Sequence, residues 1–254
     1  MTDYVIAIPS YKRHHILNER TLLYLFNQNI DQDKIHIFVA NEEEREIYER
    51  YIHKCSYNKM IVIGQSGIGY AREFMANYFP QGQKIMYIDD DLSDILMKVD
   101  DKTMKPLENL HSFSEMTFTH LYNHRLGLCG VYPVCNPFFM KKTLSTDLKF
   151  CIGQLYWTIN DKECEAREYD LMEDFEKTLK YYRHYQGVLR YNYIYPKADY
   201  ARLGGGCNEN YDRSIEGKGE EISRFLQQYP TYVRMKTKKA TIDLNFIKQK
   251  NIKI

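Results

Sequence analysis

No hydrophobic run in the 254-residue sequence approaches the roughly 20 residues that a helix needs to cross a bilayer. The first residues also lack the basic and apolar regions of a secretory leader. C-x-x-C pairs are absent, and no histidine stands at zinc-finger spacing beside the six cysteines, Cys55, Cys129, Cys135, Cys151, Cys164 and Cys207. We therefore expect a soluble cytoplasmic protein with reduced thiols rather than a membrane protein or a disulfide-bonded scaffold.

A strong net charge is absent as well, because 35 basic residues are opposed by 34 acidic ones. Tryptophan occurs once, whereas there are 23 tyrosines and 12 phenylalanines, so most of the large rings carry a hydroxyl. Such rings suit contacts with sugars or bases as well as ordinary core packing. The hydrophobic share of 44% and the charged share of 27% are typical of a globular protein with a sizeable core, built as one domain or two.

Three consecutive carboxylates, Asp89, Asp90 and Asp91, follow the apolar segment 84–88. Side chains alternate along a strand, so we expect Asp89 and Asp91 on one face, about 7 Å apart, and Asp90 on the other. Adjacent carboxylates repel one another most in a partly buried cleft, and a divalent cation would offset that repulsion. We therefore predict a metal site at Asp89 and Asp91. The plainer alternative is an acidic turn that ends the strand.

Apolar strands and helical patterns alternate through the first 98 residues. We predict strands at 4–8, 35–40, 60–63 and 84–88, and helices at 16–29, 41–53 and 70–79. Asn41 and the three glutamates after it are typical of a helix start. This alternation with short connections predicts an α/β fold with a mostly parallel central sheet and helices on both faces.

Three polar segments follow strands of that sheet: residues 9–13, the glycine loop 67–69 and the Asp triplet. Ligands of such sheets bind beyond the carboxyl ends of the strands, so we expect all three segments at one site. Pro9 cannot donate to a strand ladder, and the chain is expected to turn there. One interpretation is that a phosphate meets the backbone N–H groups of the glycine loop together with basic side chains, namely Lys12, Arg13 and Arg72. The plainer alternative is a strand-to-helix turn with solvated basic side chains.

The second half of the chain has a mixed pattern. We predict a helix at 112–124, opened by a capping box of Ser112 and Glu115, then strands at 128–140 and 150–159 that extend the sheet antiparallel, and a strand at 188–195. His120 and His124 lie four residues apart on that helix, but they would bind a metal only with a third ligand nearby. Gly204–Gly206 is typical of a flexible loop.

The acidic segment 168–176 leads into a helix that we expect to end near Tyr182. Asp170 and Glu173 fit a capping box, which explains both residues without any chemistry. Asp174 is not needed by that cap. A carboxylate beside a helix N-terminus stays ionised and can accept a proton. Asp174 is therefore the first candidate for a catalytic base, and Glu173 is the second.

The C-terminal segment is basic: from Arg224 onward eight Lys or Arg residues are opposed by a single acid, Asp243. Such a segment suits a phosphate backbone or another anionic surface, although many basic tails are simply solvated. The charge pattern therefore leaves a nucleic-acid partner as one of two interpretations.

Taken together, these segments resemble the nucleotide-sugar glycosyltransferases of the GT-A fold. The resemblance rests on Ile8-Pro9-Ser10-Tyr11-Lys12-Arg13, Gly67-Ile68-Gly69-Tyr70-Ala71-Arg72, Tyr87-Ile88-Asp89-Asp90-Asp91 and Met172-Glu173-Asp174. The third segment looks like the D-x-D motif of that fold, and the fourth looks like its x-E-D motif. The first two are most similar to the TET-associated glycosyltransferases, phage and viral enzymes taken to glycosylate modified DNA bases, with relatives that act on protein.

The resemblance implies a role for each matched residue. The donor-binding residues would be Pro9, Ser10, Tyr11, Arg13, Gly69, Arg72, Asp89 and Asp90, with Arg72 at the donor phosphates. Asp89 and Asp91 would hold Mn²⁺ or Mg²⁺, which neutralises a leaving diphosphate. Asp174 would deprotonate the acceptor hydroxyl in an inverting enzyme, whereas a retaining enzyme needs no such base.

The resemblance also implies one GT-A domain over 1–254, with a nucleotide-sugar-binding half at 1–98, an acceptor and catalytic half at 99–223 and a basic segment at 224–254. The implied activity is metal-dependent transfer from a nucleoside-diphosphate sugar, with a UDP-sugar favoured. The favoured acceptor is a 5-hydroxymethylpyrimidine base in phage or viral DNA within the host cytoplasm. The alternatives are a glycan or protein acceptor, or a nucleotide- or DNA-binding module without turnover.

One departure from the GT-A pattern concerns the metal. Such enzymes often supply a late histidine as a further ligand, whereas the last histidine here is His184. Either Asn208 or Asp212 takes that place, or Asp91 and the donor diphosphate hold the metal.

Two other enzyme classes share part of the pattern. Reverse transcriptases place a similar Tyr-Ile-Asp-Asp turn between antiparallel strands, which the β-α alternation before Asp89 argues against. Haloacid-dehalogenase-type phosphatases carry their D-x-D after the first strand, where this chain has Pro9-Ser10.

Overall fold

The computed structural model describes residues 4–198, 215–238 and 241–247. Its strands are β1 Val5–Ser10, β2 Ile35–Val39, β3 Lys59–Val62, β4 Lys84–Ile88, β5 Leu92–Lys98, β6 Met104–Pro106, β7 Leu128–Val131, β8 Leu144–Ser145, β9 Leu155–Ile159, β10 Leu189–Tyr191, β11 Ile194–Ala198, β12 Val233–Lys238 and β13 Thr241–Phe246. Its α-helices are α1 His14–Leu17, α2 Leu23–Asn27, α3 Glu42–Tyr51, α4 Ile68–Tyr78, α5 Leu110–His124, α6 Lys162–Glu165, α7 Glu173–Tyr185 and α8 Ile215–Gln228. A π-helical turn, Asn18–Leu22, joins α1 to α2.

Eight strands form the central sheet in the order β3-β2-β1-β4-β9-β7-β10-β8. The first four of these strands are parallel, β9 runs antiparallel to both β4 and β7, and β10 is parallel to β7. A second sheet pairs β5 with β11 and β6, and β12 forms a hairpin with β13. The predicted α/β architecture with a mostly parallel sheet and an antiparallel extension is therefore confirmed.

Both faces of the central sheet are covered because successive strand residues point to opposite sides. Ile6 and Ile8 of β1 join a core cluster with residues of α2 and α5, whereas Ala7 joins a second cluster with residues of α4. All five residues of β2 are buried. Such doubly covered strands read as continuous apolar runs, which is why the first strands were recognisable in the sequence.

Most predicted elements of the first half are present with small shifts at their ends. Asn41 caps α3 as expected, with its side-chain oxygen 2.9 Å from the amide of Glu44. The turn expected at Pro9 is wrong, because β1 continues to Ser10. Pro9 is tolerated there because the pairing of β1 with β4 covers only Val5 to Ala7, so no ladder on that side needs its missing N–H.

The second half contains more corrections. The capping box at Ser112 is wrong: Asn109 caps α5, with its Oδ1 2.8 Å from the amide of Ser112. The strand expected at 128–140 stops at Val131, and the strand expected at 188–195 is divided into β10 and β11. β5 follows the Asp triplet directly and was missed, since its strand residues belong to the small second sheet.

Residue 224, the predicted start of the basic segment, lies inside α8, and the loop at Gly204–Gly206 lies outside the described residues. The five cysteines within the described part of the chain are all free. None of the helices that the structure describes is long and apolar enough to cross a membrane.

The segment that leads into helix α7 is held by an acid of a distant helix. The expected capping box of Asp170 and Glu173 is wrong, since the N-cap position is Met172 and no side chain of its own segment caps it. Instead, Glu221 of α8 accepts the backbone amides of Asp170 at 2.7 Å and Leu171 at 3.1 Å. These two amides precede the N-cap residue, so Glu221 fixes the chain as it enters α7 through charge-assisted hydrogen bonds.

Changing Glu221 to glutamine should therefore destabilise the start of α7. The glutamine places an N–H₂ group against backbone donors, and we expect a loss of about 1–2 kcal/mol in the free energy of unfolding. Urea denaturation would measure it, with the exposed neighbour Glu220→Gln as the matched control. Equal midpoints for the two variants would contradict the capping role.

Candidate nucleotide-sugar site

The predicted donor residues meet at one edge of the central sheet. β1 and β4 are parallel neighbours, with Ala7 opposite Tyr87, so the segments after Ser10 and after Ile88 leave the sheet side by side. Tyr11 and Lys12 form the turn there, and Lys12 has a φ of 55°. The Asp triplet and the segment 9–13 are thus brought together, as expected from the strand order.

Asp90 is buried at this end of the sheet and is held there by hydrogen bonds. Ser10 donates its hydroxyl to Asp90 over 2.6 Å, and Arg13 Nη1 lies 3.4 Å from the other carboxylate oxygen. Tyr48 supports both partners, since its hydroxyl is 2.8 Å from Ser10 Oγ and accepts the amide of Arg13 at 2.9 Å. Burial raises the pKa of Asp90 to about 6, and the bonds from Ser10 and Arg13 oppose that rise.

Asp91 differs because neither of its carboxylate oxygens has a hydrogen-bond partner, although the residue is only 1% exposed. Its nearest cation is Arg13, whose Nη1 lies 3.7 Å away. Burial, followed by repulsion from Asp89 and Asp90, raises the pKa of Asp91 to about 7. Buried carboxylate oxygens without donors are costly, and a divalent cation would satisfy them. The residues present therefore fit a metal ion.

Asp89 points to a different partner. Its Oδ1 accepts Arg72 Nη2 at 2.5 Å, and its backbone oxygen accepts the hydroxyl of Thr21 at 2.7 Å. The strand alternation expected through the triplet does not hold, because β4 ends at Ile88. Asp90 and Asp91 share Arg13, whereas Asp89 faces Arg72.

Gly69 and Arg72, expected at the donor phosphates, are engaged elsewhere in this conformation. The Gly69 amide donates to Asp170 Oδ1 at 2.8 Å, and a Cβ at that position would lie 2.6 Å from the carbonyl oxygen of Tyr169. Arg72 is 1% exposed and also donates to the carbonyl of Gly153 at 3.0 Å. The contacts of Arg72 therefore favour a role in positioning Asp89 over direct contact with a phosphate.

Gly153 lies between Arg72, which bonds its carbonyl oxygen, and Asp174. The backbone N–H of Gly153 bonds Asp174, and Lys177 Nζ donates to Asp174 Oδ1 at 3.2 Å. Lys177 is fully buried and lies 3.6 Å above the ring of Tyr156. Burial alone would raise the pKa of Asp174, but Lys177 and hydrogen bonds from Glu173 and Gly153 hold it below its usual value.

Glu173, next to Asp174, is neutral rather than ionised. Burial, followed by repulsion from Asp174, raises its pKa to about 8, so its carboxyl holds a proton at neutral pH. The proton can be donated to Asp174, which keeps the neighbouring carboxylate ionised. The pair thus combines a neutral acid with an ionised base. Asp89 and Asp174 also keep the largest exposure among the acids of the site, 28% and 25% of their side chains.

Several residues of the site were missed from the sequence. Thr21 holds the turn after β4, Glu44 accepts the amide of Lys12 at 2.7 Å, and Tyr48 and Lys177 support the acids described above. Lys177 follows Asp174 by three residues, a helical spacing that could have found it. Tyr48 likewise follows Glu44 by four residues on α3, so its position on the same helix face was available from the sequence.

The histidines considered as metal ligands lie away from the triplet. His120 and His124 are neighbours on α5, with ring centroids 6.4 Å apart, and the described residues place no third ligand beside them. His184 lies 3.7 Å from Asp161, which follows β9 at the opposite edge of the sheet. Asn208 and Asp212, the other candidates, lie outside the described residues.

Solved structures with similar folds include Staphylococcus aureus TarS residues 1–349, with a TM-score of 0.45 and 12% identity over 77% of this chain and 60% of that one. The same TarS fragment in complex with UDP gives 0.45 and 13% identity over 76% and 60%. A mannosyltransferase from Pyrobaculum calidifontis in complex with GDP-Man and Mn²⁺ gives 0.43 and 12% identity over 61% and 44%. The chain thus spans less than two thirds of each of these proteins.

A comparison with curated proteins finds no match. A family model for the TET-associated glycosyltransferases, however, matches residues 4–205, which include every segment of the site built above. The match extends over most of the chain, and the family is the one that the four sequence segments resemble. This chain belongs to the TET-associated glycosyltransferase family.

Proposed function

We propose that the protein transfers a sugar from a nucleoside-diphosphate sugar to an acceptor hydroxyl, with the help of a divalent cation. The observation that carries the proposal is the pair of unpartnered oxygens on buried Asp91, which lies next to Asp89 in the chain. Asp89 in turn interacts electrostatically with the ionised Asp174. A cation and an anionic donor would together satisfy this excess of carboxylates. Membership of the glycosyltransferase family supports the same reaction class.

On the donor side, the nucleotide would lie over Pro9, Ser10 and Tyr11, at the edge where β1 ends. Asp89 and Asp91 are the residues that would hold Mn²⁺ or Mg²⁺. When bound, such an ion stabilises the negative charge of a leaving diphosphate. Arg13, which contacts both Asp90 and Asp91, would keep these two acids in place before the donor arrives. A UDP-sugar is the favoured donor.

On the acceptor side, Asp174 would take the proton of the attacking hydroxyl if the enzyme inverts the sugar configuration. Lys177 and Glu173 would hold that carboxylate ionised and oriented through the bonds described above. A retaining reaction would not need this base. An Asp174→Asn variant separates the two cases. It should bind the donor in both, but it should lose turnover only if the enzyme inverts the sugar configuration.

The favoured acceptor is a 5-hydroxymethylpyrimidine base in phage or viral DNA, within the host cytoplasm. Two observations support it: the family to which the chain belongs, and the basic composition from Arg224 onward. A base in duplex DNA would have to leave the stack to reach the donor edge. A glycan or protein acceptor is the alternative.

The test is a Mn²⁺-dependent assay of nucleotide release from UDP-glucose and other nucleotide sugars, with and without DNA that contains 5-hydroxymethylcytosine. We expect release to require the cation and to rise with this DNA. A thermal-shift panel of UDP and GDP on wild type and Asp91→Asn measures donor binding separately. No nucleotide shift and no release under any condition would overturn the proposal.

The stability of the metal-free protein should fall as pH rises from about 5 to 8. Asp91 and Glu173 have folded pKa values near 7 and 8, above their unfolded values, so the folded state binds more protons in this window. Each unit of pKa displacement corresponds to about 1.4 kcal/mol, so the decrease in Tm should reach several degrees. Asp91→Asn should show a smaller fall, and Mn²⁺ should reduce it in wild type only.

The exposed Asp33→Asn serves as the control for that pH series, and its profile should follow wild type. Identical profiles for wild type and Asp91→Asn would contradict the raised pKa of Asp91.

Gly153→Ala should reduce turnover and leave donor binding nearly intact. A Cβ at Gly153 would clash with Asp174 Oδ1 and lie 2.9 Å from Glu173 Oε1, so it would displace the acids that face the acceptor. We expect kcat to fall about 10²-fold, the lower range for loss of a general base. Gly219→Ala in α8 is the control, because a Cβ there meets no atom within 4 Å and the backbone is not in the left-handed region. An unchanged kcat for Gly153→Ala would contradict the assignment of these acids.

A further inference from the structure

A second surface at the same edge of the sheet carries exposed aromatic rings beside lysines. It comprises Val134, Phe138, Phe139, Lys141 and Lys142, in the loop that follows β7, and is named here the aromatic–lysine patch. Phe138 and Phe139 are 67% and 63% exposed, and Val134 is 56% exposed. Contiguous apolar side chains of this kind on a surface mark an interaction site rather than core packing.

Strand register places this patch on the donor side of the sheet. Tyr156 of β9 pairs with Tyr87 of β4 and with Gly130 of β7, so Tyr87 and Gly130 lie level across the sheet. The loop after Val131 therefore leaves the sheet at the level of the Asp triplet, two strands away, or about 10 Å. The loop then reaches the far end of β5, where Lys98 bonds Met140, about 20 Å along that strand from the triplet. A nucleic-acid strand of several nucleotides is long enough to contact both places.

The loop is anchored rather than loosely attached. Lys98 Nζ donates to the carbonyl of Met140 at 2.7 Å, and the amide of Lys141 donates to the carbonyl of Asn192 at 3.1 Å. A groove runs beside it, with apolar walls from Met97, Val99 and Tyr193 and basic side chains from Lys98, Lys105 and Lys142. Lys142 thus belongs both to the patch and to the wall of this groove.

The charges favour a polyanionic partner. From Arg125 to Thr146 the sequence contains three basic residues and no acidic one. Nearby acids offset part of the groove charge, since Asp101 pairs with Lys98 at 2.7 Å and Glu108 pairs with Lys105 at 2.6 Å. Asp100 interacts with Lys142 electrostatically, so the charge left for a ligand comes from Lys141 and Lys142. Lys141 and Lys142 are exposed beside the rings. Lysines interleaved with aromatic rings suit a nucleic-acid strand, in which phosphates alternate with stackable bases.

The arrangement of the two rings suits a base in particular. Phe138 and Phe139 are perpendicular, with centroids 5.1 Å apart and an interplanar angle of 86°. Their faces therefore point in different directions, so that one can stack on an unpaired base while the other fills the space that the base leaves.

We propose that the aromatic–lysine patch binds the DNA strand beside the acceptor base, with Phe138 and Phe139 stacking on bases and Lys141 and Lys142 contacting phosphates. This inference rests on the proposed function for its acceptor, and it adds the surface that binds it. The donor residues at the Asp triplet are not part of the patch, so the two sites can be tested separately.

The experiment measures binding of a short fluorescein-labelled DNA, single-stranded and duplex, with one 5-hydroxymethylcytosine, by fluorescence anisotropy at about 50 and 200 mM salt. The Phe138→Ala/Phe139→Ala variant should bind about tenfold or more weakly at both salt concentrations, as expected for lost base stacking. The Lys141→Ala/Lys142→Ala variant should reduce the slope of log Kd against log salt by about 1–2.

Two control variants carry single alanine substitutions of an exposed aromatic ring and of an exposed lysine elsewhere. Tyr122→Ala removes an aromatic ring that is 83% exposed on α5, and Lys59→Ala removes an exposed lysine at the start of β3, on the opposite edge. Both controls should bind DNA as wild type does. Thermal shift with UDP and Mn²⁺ should be unchanged in the patch variants, which also shows that they are folded.

Equal DNA affinity in wild type and in the phenylalanine variant would overturn the inference, as would a wild type that binds no DNA at either salt concentration. In the second case the patch would serve a protein or glycan partner. Failure of the proposed function looks different, because wild type would then give no nucleotide shift and no release from a nucleotide sugar, whatever its affinity for DNA.

Discussion

The site depends on one ion pair, between the buried Arg72 of α4 and the partly exposed Asp89 at the end of β4. Arg72 also donates to the carbonyl of Gly153, whose own N–H bonds Asp174. A guanidinium that is 1% exposed cannot be solvated, and its place is therefore fixed by the acids and carbonyls around it. Through this contact the end of β4 and the start of α7, far apart in the chain, are held at one geometry.

The carboxylates around the Arg72–Asp89 ion pair differ in protonation state. Asp174 is ionised because Lys177 and two hydrogen bonds outweigh its burial, whereas Glu173 next to it is protonated. Asp90 has donors in Ser10 and Arg13, whereas Asp91 has none. Under the proposed function, a cation bound beside this acid would stabilise the folded state, because it would satisfy the carboxylate oxygens that have no donors.

The part of the chain beyond the family match also contributes to the site. The match ends at residue 205, yet Glu221 of α8 accepts the amides before α7, and Tyr169 donates its hydroxyl to Gln228 at 2.5 Å. Asp170, in the loop that Glu221 caps, accepts the amide of Gly69 at the start of α4. The described C-terminal helix thus supports the two helices that carry Arg72 and Asp174.

The sequence by itself determined the alternation of strands and helices in the first half, the edge where the polar segments meet, and Asp174 as an acid that local capping does not require. Each of these follows from periodicity or from the order of parallel strands, which are local properties of the chain. Tertiary structure alone decided the partners: Arg72 for Asp89, Arg13 for Asp90, Glu221 for α7. Local patterns predicted the caps of α5 and α7 wrongly, because a capping box describes only four neighbouring residues, whereas the amides before α7 are capped by an acid 50 residues away.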